Sequence, residues 1–159
     1  MVHLTINDIP VEASEDSTIL SVAKTAGIEI PTLCFLEGVN NIGSCRLCVV
    51  EVEGMDKLPT ACNTRVKEGM VIQTESDRVI AARKTVLKLL LANHHLECFS
   101  CPKNGVCELQ IACRRYGIED TTYKNTRSKV DNYRKQSHPF LSYRPDLCIH
   151  CQRCVSTCA

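Results

Sequence analysis

Asn40-Asn41-Ile42-Gly43-Ser44-Cys45-Arg46-Leu47-Cys48-Val49-Val50-Glu51-Val52 decides the reading of this chain. A turn-rich loop delivers two thiols three positions apart and runs straight into a β-branched stretch, so Cys48 to Val52 is expected as a strand. Gly43 and Gly38 allow the backbone to approach a bulky group closely. Cys34 stands upstream and Cys62 downstream, giving Cys34-x10-Cys45-x2-Cys48-x13-Cys62. Working outward, Val2, Leu4 and Ile6 alternate with polar residues as in a half-buried strand. Asn7-Asp8 makes a turn, and a second strand runs through Val11 to Ala13. A short helix follows, capped by Ser17, with Ile19, Leu20, Val22, Ala23 and Ala26 on its apolar face and Gly27 at its end. Pro31 imposes an extended entry to Cys34. Met70 to Ile72 reads as a further strand. The sum is an α+β chain that opens with a β-grasp arrangement.

Composition narrows the chemistry. Twelve of 159 residues are cysteine, 44% are hydrophobic and Trp is absent. Nineteen Lys and Arg face 18 Asp and Glu, a net charge of +1 that gives no pull toward nucleic acid or an anionic membrane. The N-terminus lacks the pattern of a secretory signal, and the apolar stretch from Val86 to Ala92 is far too short to span a bilayer. A cytoplasmic protein is expected, and there cysteines serve as metal ligands or reactive thiols instead of disulfides. Ser76 or Asp77 caps the strongest helix, which runs to about Asn93 with Val79, Ile80, Val86, Leu87, Leu90 and Leu91 on one side. Arg78, Arg83, Lys84 and Lys88 are assigned to its solvated face. A shorter helix spans Glu108 to Tyr116 and stops at Gly117. Residues 119–140 read as a linker or surface loop, tethered by Tyr123, Tyr133 and Phe140.

The cysteines form three groups. The first offers four thiolates, three on one flexible loop and one distant, the arrangement used to wrap a [2Fe–2S] cluster. Its gap of ten residues exceeds the plant-type gap of four, and a zinc ribbon would need a second Cys-x2-Cys pair. The second is His94-x3-Cys98-x2-Cys101-x5-Cys107. Spacing leaves both a zinc site and a histidine-ligated [4Fe–4S] cluster open, and does not separate His94 from His95. The third, Cys148-x2-Cys151-x2-Cys154-x3-Cys158, matches the bacterial ferredoxin run for a [4Fe–4S] cluster, with Ala159 where Pro is usual. In two-cluster ferredoxins the fourth cysteine serves the other cluster, so Cys158 is assigned there and the Cys148, Cys151 and Cys154 site is incomplete. Either the sequence is a fragment, or a partner supplies ligands, or these four cysteines hold a single site; a fragment of a longer protein is the expectation. Cys113 remains, read as a small buried hydrophobe in preference to a ligand.

These motifs resemble the N-terminal electron-transfer region shared by [FeFe]-hydrogenases, NAD(P)-coupled formate dehydrogenase catalytic subunits and the large iron–sulfur subunit of complex I. The matching stretches are Ile30 to Cys34, Gly43 to Gly54 and Asn104 to Gln110. The resemblance implies three parts: a β-grasp, plant-ferredoxin-like [2Fe–2S] domain, a small helical domain with a histidine-ligated [4Fe–4S] cluster, and the start of a bacterial-ferredoxin-like domain. It implies His94 as the histidine ligand. The expected boundaries are 1–76, 77–118, a linker at 119–140, and 141–159. The resemblance implies relay of single electrons between a ferredoxin or NAD(P)H-oxidising flavoprotein and a catalytic centre outside this sequence, with no nucleic acid and no membrane span. The rival readings are a stand-alone electron-carrier subunit and a zinc-stabilised interaction module. No constellation of acids, bases or nucleophiles proposes a catalytic residue within the chain.

Overall fold

The computed structural model describes residues 1–119, 123, 139–140 and 143–159. They fall into two units, one of Met1–Val86 with His150–Ala159 and one of Leu87–Ile149. The first unit is built on a four-stranded mixed sheet of β1 (Val2–Ile6), β2 (Ile9–Ala13), β3 (Glu51–Val52) and β4 (Val71–Gln73), in the order β2-β1-β4-β3. Strands β1 (Val2–Ile6) and β2 (Ile9–Ala13) form an antiparallel hairpin with Ile6 opposite Ile9. Asn7 and Asp8 turn it with φ of 49° and 65°, the left-handed pair that a two-residue hairpin turn demands and Asn and Asp tolerate. The Asn7 side chain also grips Thr74: its Oδ1 accepts from the Thr74 amide at 2.8 Å, and its Nδ2 donates to Oγ1 at 2.7 Å.

Strand β4 (Val71–Gln73) lies parallel to β1, with Thr5 opposite Val71, and antiparallel to β3 (Glu51–Val52). The strand expected over Cys48 to Val52 is therefore shorter. Only its last two residues join the sheet, because residues 48–50 pair elsewhere. Val50 donates to the Pro59 carbonyl and Ala61 to the Cys48 carbonyl, with Val49 bridged to Thr60. Helix α1 (Ile19–Thr25) packs on the sheet through Ile19, Leu20, Val22 and Ala23. Thr18 caps it in place of the expected Ser17, since Thr18 Oγ1 accepts from the Ser21 amide at 3.2 Å. Ile6, Ile19, Ala23, Val50, Ala61, Val66 and Ile72 are completely buried. Each isoleucine contributes about 1.5–3 kcal/mol by its burial.

Helix α2 spans Asp77–Ala92, and Ser76 Oγ accepts from the Val79 amide at 3.3 Å. The expected solvated basic face needs one correction. Arg83 is fully buried, because it shares the i, i+4 row of Val79 and Leu87, and its charge is met by the partly exposed Glu75 at 2.9 Å. In the second unit, α3 (Glu108–Arg115) ends at Gly117, whose φ is 63°. The tether residue Tyr133 and most of the expected linker lie outside the described residues. Among the described residues, no helix is long and apolar enough to cross a membrane.

Candidate iron–sulfur sites

None of the twelve cysteines is joined in a disulfide. The first four are all buried: Cys34 is fully enclosed, and Cys45, Cys48 and Cys62 are exposed by 8% or less. Two elements bring them together. The pairing of 48–50 with 59–61 sets Cys48 beside Cys62. The first turn of α1 then anchors that stretch, its otherwise unpaired Ile19 and Leu20 amides donating to the carbonyls of Thr64 and Ala61, both at 2.9 Å. On the other side, the loop reverses through Gly38, Gly43 and Arg46, with φ of 72°, 67° and 58°.

The sulfurs sense one another. Burial pushes the Cys45 thiol up to about 11, and the Cys34 sulfur adds to this while the backbone amides of Leu47 and Leu33 oppose it. Cys48 is held down to about 7, chiefly by a hydrogen bond from Cys62 and further by the amides of Cys62 and Ala61. The same bond, with burial and the charges of Cys48, Cys34 and Cys45, pushes Cys62 up. Four enclosed sulfurs, two of them (Cys45 and Cys48) approached by backbone N–H groups, fit the donor chemistry of a [2Fe–2S] cluster, whose charge is spread over several sulfurs and stabilised by such hydrogen bonds.

The second group lines a cavity of about 210 Å³ in the Leu87–Ile149 unit, together with Leu91, Leu109 and Ile118. His94, His95, Cys98, Cys101, Cys107 and Cys113 all contribute to its wall. A one-turn 3-10 helix, Cys98–Ser100, carries the first cysteine, and Cys107 caps α3. Gln110 reaches back to tie the intervening loop, donating to Asn104 Oδ1 at 3.1 Å and accepting from the Gly105 amide at 3.2 Å. The two histidines differ. His94 Nδ1 is buried without a hydrogen-bond partner. Burial, and secondarily the neighbouring His95, lowers its pKa against the pull of Asp146, favouring the neutral imidazole that ligates metal. His95 instead pairs through Nε2 with Glu97 at 3.3 Å on the surface. A neutral imidazole with an orphaned buried nitrogen, facing three thiols, fits a histidine-ligated [4Fe–4S] cluster. Cys113 is buried as expected, and burial followed by Cys107 and Cys98 raises its thiol to about 11.

Of the third group, Cys148 belongs to the second unit and Cys151, Cys154 and Cys158 to the first. Cys154 and Cys158 are exposed on the six-residue helix α4 (Arg153–Cys158). Among the described residues, no three His, Cys, Asp or Glu side chains close around a point as a single bound ion requires. Two residues near the first site escaped the sequence reading: Asn40, taken only as a turn residue, and Arg83. Nothing in their local pattern marks them, since each has a decisive partner far along the chain, Cys151 and Ser156 for Asn40 and Val49 for Arg83.

Residues 1–77 match the model of the 2Fe-2S iron-sulfur cluster binding domain, and residues 83–122 that of the NADH-ubiquinone oxidoreductase-G iron-sulfur binding region. The chain carries the iron–sulfur region shared by hydrogenase and NADH-oxidoreductase subunits. This region is 44% identical, over 99% of the chain, to the NADP-reducing hydrogenase subunit HndD of Solidesulfovibrio fructosivorans. It is 36% identical, over 97% of the chain, to the mitochondrial 78 kDa subunit of the NADH-ubiquinone oxidoreductase of Candida albicans. It spans 28% and 21% of their lengths. The structure of an NAD+-reducing [NiFe]-hydrogenase in the H2-reduced state superposes with a TM-score of 0.87 at 31% identity, covering 98% of this chain and 64% of that one. The region therefore combines a [2Fe–2S] and a [4Fe–4S] binding domain.

Proposed function

We propose that the chain relays single electrons within a nicotinamide-coupled oxidoreductase of the hydrogenase or formate dehydrogenase type. The observation that carries this is the enclosure of Cys34, Cys45, Cys48 and Cys62, with backbone amides approaching Cys45 and Cys48. These four hold the [2Fe–2S] cluster; His94, Cys98, Cys101 and Cys107 hold the [4Fe–4S] cluster. By their spacing, Cys148, Cys151 and Cys154 begin a ferredoxin-type site, and Cys158 serves a further one. The clusters supply one-electron chemistry. The chain's own residues fix the sulfurs, exclude water from the first site and keep the His94 imidazole neutral. The redox partner is a ferredoxin or an NAD(P)H-oxidising flavoprotein, and the catalytic centre lies outside this sequence. A cytoplasmic setting agrees with cysteines that serve as cluster ligands and not as disulfides.

The names of the relatives favour this reading, since each couples a nicotinamide cofactor to another acceptor or donor. Iron and acid-labile sulfide, counted on anaerobically purified protein, test it. About six iron atoms per chain are expected with the first two sites filled and about ten with the third also filled. A colourless chain loaded with zinc would replace the relay with an interaction module.

A further inference from the structure

Asn40 sits in the loop between Cys34 and Cys45 and is 2% exposed. Its Nδ2 donates to the Cys34 carbonyl at 2.8 Å and to the Cys151 carbonyl at 3.0 Å, while its Oδ1 accepts from Ser156 Oγ at 3.2 Å. Both amide hydrogens and the amide oxygen are thus engaged. The Asn40 main chain is fixed as well, exchanging bonds with Leu36 at 2.8 Å in each direction. One residue after Cys34, the Phe35 carbonyl accepts from Arg153 Nη2 at 3.0 Å. The side-chain contacts from this loop cross 111 to 118 positions of sequence, and all lie within one unit.

Helix α4 is too short to hold itself, because a single nucleated turn is unfavourable in water. Its cysteines are exposed, so an apolar face does not anchor it. Its anchorage comes from polar contacts with the loop at 34–40. A buried amide is costly unless its hydrogen bonds are made, and here they are spent on the carbonyls of two cysteines from different motifs.

We propose that Asn40 is a positioning residue that clamps the segment carrying Cys151 and α4 onto the loop carrying Cys34. Its meaning for electron transfer rests on the relay reading: one side chain sets how near a ferredoxin-type motif lies to the [2Fe–2S] loop, and electron hops slow steeply with separation. The clamp itself is a matter of hydrogen bonds and is tested without reference to iron.

Hydrogen exchange, read by mass spectrometry on the anaerobically purified chain, provides the test. In Asn40→Leu, which matches asparagine in size, residues 151–158 should exchange about tenfold faster or more while β1 and β4 keep their rates. Asn40→Gln retains both donors on a longer arm and should recover most of the protection. A residue serving only to fill space gives the reverse order, since leucine fits and glutamine overpacks. The [2Fe–2S] EPR signal, followed in parallel, should be unchanged in Ser156→Ala, which leaves the bond from Asn40 to the Cys34 carbonyl in place. Unprotected 151–158 in the native chain, unchanged exchange in Asn40→Leu, or acceleration spread through β1 and β4 would overturn the clamp. Should Asn40→Leu not fold, Ser156→Ala reports from the other side: faster exchange confined to 153–158 supports the clamp, and no change overturns it. Failure of the relay reading shows separately, as a native chain without iron.

Discussion

The buried guanidinium of Arg83 donates through Nη2 to the carbonyl oxygen of Val49 at 2.8 Å, one residue beyond Cys48. Its Nη1 meets Glu75 Oε1 at 2.9 Å. Helix α2 is thereby fastened to the segment that carries Cys48. Replacing Arg83 by leucine leaves the Val49 carbonyl without this donor and Glu75 without its cation. Glu75 is 40% exposed, so water relieves most of its loss and the cost falls near that of one unsatisfied buried group, about 1–3 kcal/mol. Arg83→Lys should recover only part of this, since an ammonium lacks the planar fork that serves both partners. Urea unfolding of the three proteins checks the order.

The contrast between the adjacent histidines yields a second prediction. His94→Ala should change or abolish the [4Fe–4S] EPR signal and leave the [2Fe–2S] signal intact. His95→Ala, which removes the pair with Glu97 and part of the cavity wall but no proposed ligand, should leave both signals in place. The opposite pattern would transfer the ligand role to His95.

Gly43 is a third place to probe. Its φ of 67° lies in the left-handed region, and a Cβ there would stand 2.9 Å from Asn63 Nδ2 and 3.1 Å from Thr60 Oγ1. Gly43→Ala should cost about 1–2 kcal/mol from the backbone alone. Because the strain lies two residues from Cys45, heat loss of the [2Fe–2S] absorbance should begin at a lower temperature, with the [4Fe–4S] signal unaffected.

Across about pH 7 to pH 11 the iron-free chain should be most stable near pH 9. Cys45 and Cys113 are each raised from 9.0 to about 11 in the fold, so their contribution is complete below the unfolded value and is lost as pH rises through the folded one. Cys48 has the opposite sign. Its value is lowered from 9.0 to about 7, so its contribution is present above the unfolded value and lost as pH falls through the folded one. Urea midpoints across this range should trace a dome. Cys113→Ala should flatten part of its alkaline side and leave iron content unchanged in the loaded protein.

Periodic signals carried the fold reading where packing follows local pattern. The alternation of Val2, Leu4 and Ile6, the Asn7-Asp8 turn and the helix after Ser17 all appear within a residue or two of expectation. Val49 and Val50 misled because β-branching marks extended backbone without naming its partner strand, and theirs lies at 59–61. Arg83 misled because charge reads as exposure until its pairing with Glu75 and with the distant Val49 carbonyl is known. Cysteine spacing brought out both candidate cages. The supports of the first, Asn40 and Arg83, act through contacts across many positions, which no local window contains.

The parallel pairing of Thr5 with Val71 places the entire 34–62 stretch inside one long closure of the chain. A ribosome must release residues beyond Ile72 before that sheet can shut, and non-local pairings of this kind form slowly. Until then Ile72 is missing from the core that buries Cys48 and Cys62, so those two thiols reach full burial only after the closure.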